Sequence, residues 1–254
     1  MDRDFTLQKY RELCKAIVEN YIPMTVESYL VNKPSQNYIA ILRHDVDRDP
    51  KNALRMAKLE HDYDIKSTYY FRMKKNVFIP EIIREIAEMG HEIGYHYEVL
   101  DKARGDFEKA IKIFEQELKE FRRICKVKTV CMHGNPLTPW INVKIWDKYD
   151  FKSFDIIGEP YISLDKEFIY LSDTGRTWSG RFSIKDKTTR TNSLKIKNTD
   201  ELIKLMKQRK MKKLHILTHP NRWYDEYSKW IAELILQNLK NTVKFIIISL
   251  GGRR

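Results

Sequence analysis

Two aspartates, Asp45 and Asp47, closely follow an apolar run from Tyr38 to Leu42. Because they are two residues apart, their side chains share a face if the backbone is extended. Two carboxylates this close repel each other unless a cation or a proton separates them. A third aspartate, Asp49, stands before Pro50 and is placed to cap a helix, so only one of the three has a simple structural explanation. The pair therefore indicates a functional site.

Similar side chains recur along the chain where predicted strands end. A single histidine is usually structural, and the aspartates could instead form surface ion pairs with Arg43 and Arg48. Parallel strands, however, bring their carboxyl ends to one edge of a sheet, so recurrence at strand ends predicts one shared site. The residues concerned are Asp45, Asp47, His96, His133, Asp173 and His219.

These residue types suit metal-assisted hydrolysis. An aspartate with one or more histidines and an open position suits a divalent transition metal, zinc first. The pKa of a metal-bound water falls to about 7 in good zinc sites. A second carboxylate can accept the proton of that water, and a separate histidine can protonate a leaving group.

Predicted strands and helices alternate through most of the chain, which favours an α/β fold with parallel strands and right-handed crossovers. About seven strands suit an incomplete barrel, and the run from Phe245 to Leu250 is either a strand or a continuation of the last helix. The predicted strands span residues 38–42, 66–73, 91–96, 127–132, 154–157, 168–171 and 214–217. The chain shows no internal repeat, so we expect one domain over 1–254, with residues 1–35 as a helical extension packed on a barrel of residues 36–254.

The composition narrows the class of protein. The 254 residues carry a formal charge of +12, but the basic residues are spread out and form no recognisable nucleic-acid motif. We therefore expect an anionic ligand rather than nucleic acid, and a nucleic-acid binder is the least favoured hypothesis. The longest apolar runs are too short to span a bilayer, the start lacks a signal-peptide pattern, and the three cysteines are odd in number. These features predict a cytoplasmic protein with no membrane span; they do not define its oligomeric state.

Three stretches resemble the polysaccharide deacetylases of the NodB-homology type, carbohydrate esterase family 4, in a branch with a His-Asp-Val-Asp motif. They are Arg-His-Asp-Val-Asp at 43–47, Gly-His-Glu-Ile-Gly-Tyr-His at 90–96 and Leu-Thr-His-Pro at 217–220. The resemblance covers about residues 38 to 222 and implies a distorted (β/α)7 barrel that deacetylates an N-acetylated sugar with a divalent metal. It implies that Asp45 is the general base, that Asp47 and His96 are metal ligands and that His219 is the general acid.

The chain departs from the family pattern at the second metal-binding histidine, which corresponds here to Leu100. His133, in His-Gly-Asn-Pro where the family has an Arg-Pro motif, is our candidate for the missing ligand, and Glu98 is the alternative. Asp173 with Trp178 loosely resembles the Asp/Trp motif that shapes the family's pocket.

The leading hypothesis is a zinc-dependent hydrolase that removes an acyl group from an N-acylated sugar or glycan precursor. We expect polar and aromatic side chains of the protein to contact the substrate, and arginines to bind an anionic group on it. The alternative is an inactive deacetylase-like barrel that binds an anionic glycan. The predicted substrate-binding residues are Arg43, Glu98, Asn135, Asp173, Arg176 and Trp178, with Arg181 as a further anion-binding candidate.

Overall fold

The computed structural model describes residues 3–36, 38–164, 166, 168–180, 182 and 196–249. Its strands are β1 (Ile22–Met24), β2 (Ile39–Val46), β3 (Thr68–Phe71), β4 (Glu92–Tyr97), β5 (Val130–Met132), β6 (Ile169–Ser172) and β7 (Lys213–Thr218). Its α-helices are α1 (Leu7–Asn20), α2 (Val26–Asn32), α3 (Pro50–Asp62), α4 (Pro80–Glu88), α5 (Val99–Lys102), α6 (Phe107–Arg122), α7 (Pro160–Ser163), α8 (Thr199–Lys207) and α9 (Tyr227–Ser249). Short 3-10 helices span Asn142–Asp147, Phe151–Phe154 and Pro220–Arg222.

The strands form one parallel sheet in the order β5-β4-β3-β2-β7-β6, which curls into a half-barrel of six strands. β2 is the longest strand. One of its edges pairs with β7, and the other pairs first with β1 and then, from Arg43 onward, with β3. Among the described residues no pairing joins β5 to β6, so the barrel is open there. The predicted α/β class with parallel strands is confirmed.

Strand β2 is buried along its whole length, as expected for a central parallel strand covered on both faces. Ile39 and Ile41 pack in one apolar cluster, whereas Ala40 and Leu42 pack in another on the opposite face. Two-residue periodicity therefore places Arg43 and Asp45 on the Ile41 face. Pro50 then starts α3, whose N-cap is Asp49 as predicted: its side chain accepts a hydrogen bond from the backbone N–H of Asn52.

The strand predicted at residues 154–157 is wrong. Phe151–Phe154 is a 3-10 helix whose phenylalanines contact the ring of Trp146. The sheet-like pairing that the described residues form nearby is a single bridge between Thr129 and Gly158. The apolar run from Phe245 continues α9 to Ser249 instead of forming a strand, while Leu250 lies outside the described residues.

The N-terminal segment contributes to the sheet as well as covering it. Helix α1 packs against α8 and α3, and β1 pairs with β2 inside the sheet, while Met1 and Asp2 lie outside the described residues. No helix in the described part of the chain has the length and apolar character to cross a bilayer.

Candidate active site

Three residues, Asp47, His96 and His133, meet at the carboxyl edge of the sheet. Asp47 directly follows β2, His96 lies in β4 and His133 directly follows β5. The Oδ1 atom of Asp47 lies 3.0 Å from Nδ1 of His133 and 3.6 Å from Nε2 of His96. The two imidazole nitrogens are 3.3 Å apart. The backbone N–H of His133 donates to the carbonyl of Tyr97 at 2.7 Å, which fixes the loop beside β4.

The tautomer of His96 follows from its second ring nitrogen. Nδ1 lies 3.0 Å from the backbone carbonyl of Cys131, an atom that only accepts hydrogen bonds, so Nδ1 carries the proton. Nε2 then presents a lone pair to Asp47 and His133. Oδ1 of Asp47 is also buried and accepts no aligned hydrogen bond from the residues that the structure describes. Lone pairs that face one another in a buried site are costly unless a cation or proton lies between them.

The spacing of these atoms fits a metal ion. Four tetrahedral ligands about 2.1 Å from zinc are separated by about 3.4 Å, and the three distances in the site are 3.0, 3.3 and 3.6 Å. A second grouping, Asp45, His96 and Cys131, also has its ligand atoms within 4.8 Å of one another. A metal ion can thus be held by the described residues.

The protonation states of His96 and Asp47 suit metal binding. Burial lowers the pKa of His96 to about 4, so its ring is neutral at physiological pH. Burial alone would raise the pKa of Asp47, but His133 and then His219 and His96 hold it well below its usual value. A neutral imidazole and an ionised carboxylate are the forms that bind metal.

Arg43 lies behind Asp45 and holds its carboxylate. Nε and Nη2 of Arg43 donate to the two carboxylate oxygens at 2.8 and 2.6 Å, and Nη2 also lies 3.2 Å from the hydroxyl of Tyr161. Arg43 is fully buried, and the pair keeps the pKa of Asp45 lowered against the opposing effect of burial. Asp45 is therefore ionised, 3.5 Å from Nε2 of His96. The structure places Arg43 against Asp45 rather than at the surface of the cavity.

His219 is held by Asp173. Nδ1 of His219 lies 2.6 Å from Oδ1 of Asp173, and the backbone N–H of His219 donates to Oδ2 at 2.8 Å. Two atoms bearing only lone pairs would repel at 2.6 Å, so Nδ1 carries a proton and donates a hydrogen bond to the Asp173 carboxylate. Arg222 and Trp223 donate to the same carboxylate at 2.5 and 2.9 Å. Burial opposes ionisation, but Arg222 and His219 lower the pKa of Asp173 to about 2.

The other predicted site residues are placed differently. Glu98 accepts from Arg72 at 2.5 Å and belongs to neither potential metal-binding group in the described part of the chain. Asn135 lines the cavity. Trp178 is buried and donates to Thr199 at 3.0 Å, so the tryptophan that contacts Asp173 is Trp223.

Arg176 does not line the cavity either. Its Nη1 donates to the carbonyl of Arg222 at 3.0 Å, and its guanidinium stacks over Phe5 and Trp230. Arg181 lies outside the described residues. Leu100, which takes the position of the family's second histidine, is buried and lies outside both groups.

These groups open into a cavity of about 500 Å³, large enough for a sugar unit. Helix α9 forms part of its wall, a contribution that the sequence interpretation missed. The lining includes Asp45, Asp47, His96, His133, Asn135 and His219 from the sheet edge and Gln237, Leu239, Lys240, Val243 and Lys244 from α9.

A buried polar network supports the same edge from the other face of β2. His44 lies 2.7 Å from Glu60 through Nε2 and 2.6 Å from the hydroxyl of Thr218 through Nδ1. Ser67 and Tyr69 donate to the Glu60 carboxylate at 2.5 and 2.8 Å. Burial alone would raise the pKa of Glu60, but its interaction with His44 contributes most to lowering it to about 2. Because Thr218 directly precedes His219, the network fixes the backbone that carries this histidine.

Comparisons of the chain with protein-family models, with curated proteins and with solved structures gave no match. A functional interpretation therefore depends on the geometry of this site.

Proposed function

We propose that this protein is a metal-dependent hydrolase that removes an acyl group from an N-acylated sugar or glycan precursor. The observation that carries the proposal is the convergence of Asp47, His96 and His133 within 3.0–3.6 Å, at a cavity that Asp45 and His219 also line. The proposal extends to the fold, in which the half-barrel is a distorted (β/α)7 barrel of the deacetylase type, and to a cytoplasmic location.

In this proposal Asp47, His96 and His133 hold a divalent ion, which we take to be zinc. When bound, it would polarise the acyl carbonyl and lower the pKa of water. Asp45 is ionised and held by Arg43, so it is positioned to accept a proton from water in the cavity.

In the proposal, His219 protonates the amine that leaves when the acyl group is removed. Asp173 orients the ring of His219 through Nδ1, which leaves Nε2 as the atom able to give a proton to the departing amine. A barrel that only binds a glycan has no need for an ionised Asp45 and an Asp-backed His219 beside one metal site. These two residues therefore favour hydrolysis over the binding-only alternative.

The test combines metal content with acetate release from a panel of N-acetyl sugars by the zinc-loaded chain. We expect one zinc ion per chain, acetate release, and loss of release in Asp45→Asn and His96→Ala. Matched controls are Asp62→Asn and His61→Ala, which alter the same residue types at exposed positions on α3 and should behave like the wild type.

Absence of both bound zinc and acetate release across the panel would contradict the proposal. Glycan binding that survives both a chelator and Asp45→Asn, without turnover, would support the binding-only alternative instead.

A further inference from the structure

The cavity is rich in basic side chains outside the proposed metal site, and one of them, Arg222, also donates to Asp173. Among the described residues, its acidic lining consists of Asp45 and Asp47 alone. Its basic lining comprises Arg48, Arg72, Arg222, Lys240 and Lys244.

Each of the three arginines has a carboxylate partner. The pairs are Arg48 with Glu233, Arg72 with Glu98 and Arg222 with Asp173, at N–O distances of 3.2, 2.5 and 2.5 Å. Their charges are thus largely compensated. Arg222 is only 7% exposed. Its Nε is nevertheless left without a hydrogen-bond partner in the described part of the chain. A buried donor of this kind indicates a missing acceptor.

Lys240 differs from the arginines because it forms no ion pair and no hydrogen bond with any described residue. The side chain of Lys240 is exposed overall, but desolvation at the cavity wall and then the nearby charges of Arg48 and Arg222 lower its pKa, against the opposing effects of Glu233 and Asp47. The carboxylates of Glu233 and Asp173 compensate Arg48 and Arg222, so the charge of Lys240 is the one left here without a paired carboxylate among the described residues. Lys244 follows four residues later, on the same side of α9, and also lines the cavity.

We propose that the substrate carries an anionic group, a phosphate or a carboxylate, bound by Lys240 together with Arg48 and Arg222. The inference rests on the proposed function, which supplies the N-acylated sugar, and adds the class of sugar. This anion site uses side chains other than the arginines predicted from the sequence. Of the predicted arginines, Arg43 and Arg176 do not line the cavity. The anion would lie against α9, while the acyl group would lie toward Asp45 and His219.

The experiment measures binding by calorimetry to the zinc-loaded full chain carrying Asp45→Asn, in which the proposed turnover is blocked. The probes are neutral N-acetylglucosamine, its phosphate ester at the 6-hydroxyl, and the corresponding uronic acid, so that phosphate and carboxylate are separate arms. We expect an anionic sugar to bind at least about tenfold more tightly than the neutral one, because charge-assisted hydrogen bonds are worth more than about 1.4 kcal/mol. The preference should weaken as salt is raised.

Lys240→Glu should abolish this preference, whereas Lys112→Glu should retain it. Lys112 is exposed on α6 and undergoes the same change of charge, so the comparison removes any general effect of net charge. Equal binding of all three sugars, or equal effects of the two variants, would overturn the anion site.

The two proposals fail in distinguishable ways. Acetate release from neutral and anionic sugars with equal efficiency, unaffected by Lys240→Glu, would leave the hydrolase standing and remove the anion site. Binding of an anionic sugar that depends on Lys240, with no acetate released from any probe, would keep the anion site and count against the hydrolase.

Discussion

Nδ1 of His96 lies 3.0 Å from the backbone carbonyl of Cys131, on the neighbouring strand β5. This contact fixes the ring so that Nε2 points toward Asp47 and His133. A metal-binding histidine is commonly oriented in this way by a hydrogen bond at its other nitrogen. The sheet pairing of β4 with β5 therefore sets the geometry of the proposed metal site before any metal binds.

His133, rather than Glu98, should be the third metal ligand. Removing its imidazole in His133→Ala should weaken zinc affinity by at least about 100-fold, because one of three protein ligands is lost. Glu98→Gln should change the affinity far less, since Glu98 is engaged by Arg72. Competition with a chelating dye measures both. A larger effect of the Glu98 change would reverse the assignment.

Arg43 should matter for stability through Asp45. Arg43→Met leaves a buried carboxylate without its partner, and breaking such a pair costs about 3–5 kcal/mol. The double variant Arg43→Met with Asp45→Asn should recover a large part of that loss, because no buried charge remains unpaired. Urea unfolding of the four proteins in the cycle measures the coupling. Additive losses would show that the two side chains do not interact in this way.

Asp173 should control His219 during catalysis. Asp173→Asn removes the acceptor that favours the Nδ1-protonated form, so we expect acetate release to slow by about 10²–10⁴-fold with little change in sugar binding. Trp223→Phe, which deletes one bond to Asp173, should give a smaller loss, and Trp178→Phe should leave the rate close to that of the wild type. Steady-state kinetics across pH distinguish these outcomes; a rate loss confined to Trp178→Phe would contradict this assignment.

The Glu60 network should make stability depend on acidity. The folded-state pKa of Glu60, about 2, is depressed below its ordinary value of 4.5. Its contribution is therefore present above pH 4.5 and is lost as pH falls toward 2, and its size is of the order of 3 kcal/mol. Glu60→Gln should lower the free energy of unfolding at pH 7, and it should lower it by less at pH 3. Urea unfolding at pH 7 and at pH 3 measures the difference in free energy of unfolding between the wild type and this variant. A difference that grows toward acid pH would contradict the prediction.

The sequence was sufficient to predict that the strand-end residues converge. Alternating strands and helices predicted a parallel sheet, and such a sheet brings Asp47, His96 and His133 to one edge. The two-residue spacing of Asp45 and Asp47 also predicted a shared face, and both residues line the cavity. The ion pair of Arg43 with Asp45 and its burial depend on the depth of β2 in the sheet, which local spacing does not determine.

Two features depended on packing between distant segments. Trp223 contacts Asp173 because β6 and β7 are paired and the following 3-10 helix turns back toward the sheet. Trp178 is nearer to Asp173 in sequence and packs in the same apolar cluster as Trp223, but its indole N–H donates to Thr199 instead. The path of α9 places Lys240 at the cavity, and no local pattern in a lysine-rich chain distinguishes that lysine from the others.

The central claim is that Asp47, His96 and His133 together bind one divalent ion. The most direct measurement is an anomalous difference map from crystals of the zinc-loaded chain, collected on both sides of the zinc edge. We predict a single strong peak about 2.0–2.2 Å from Oδ1 of Asp47, Nε2 of His96 and Nδ1 of His133. A peak elsewhere, or none at this position under saturating zinc, would contradict the account.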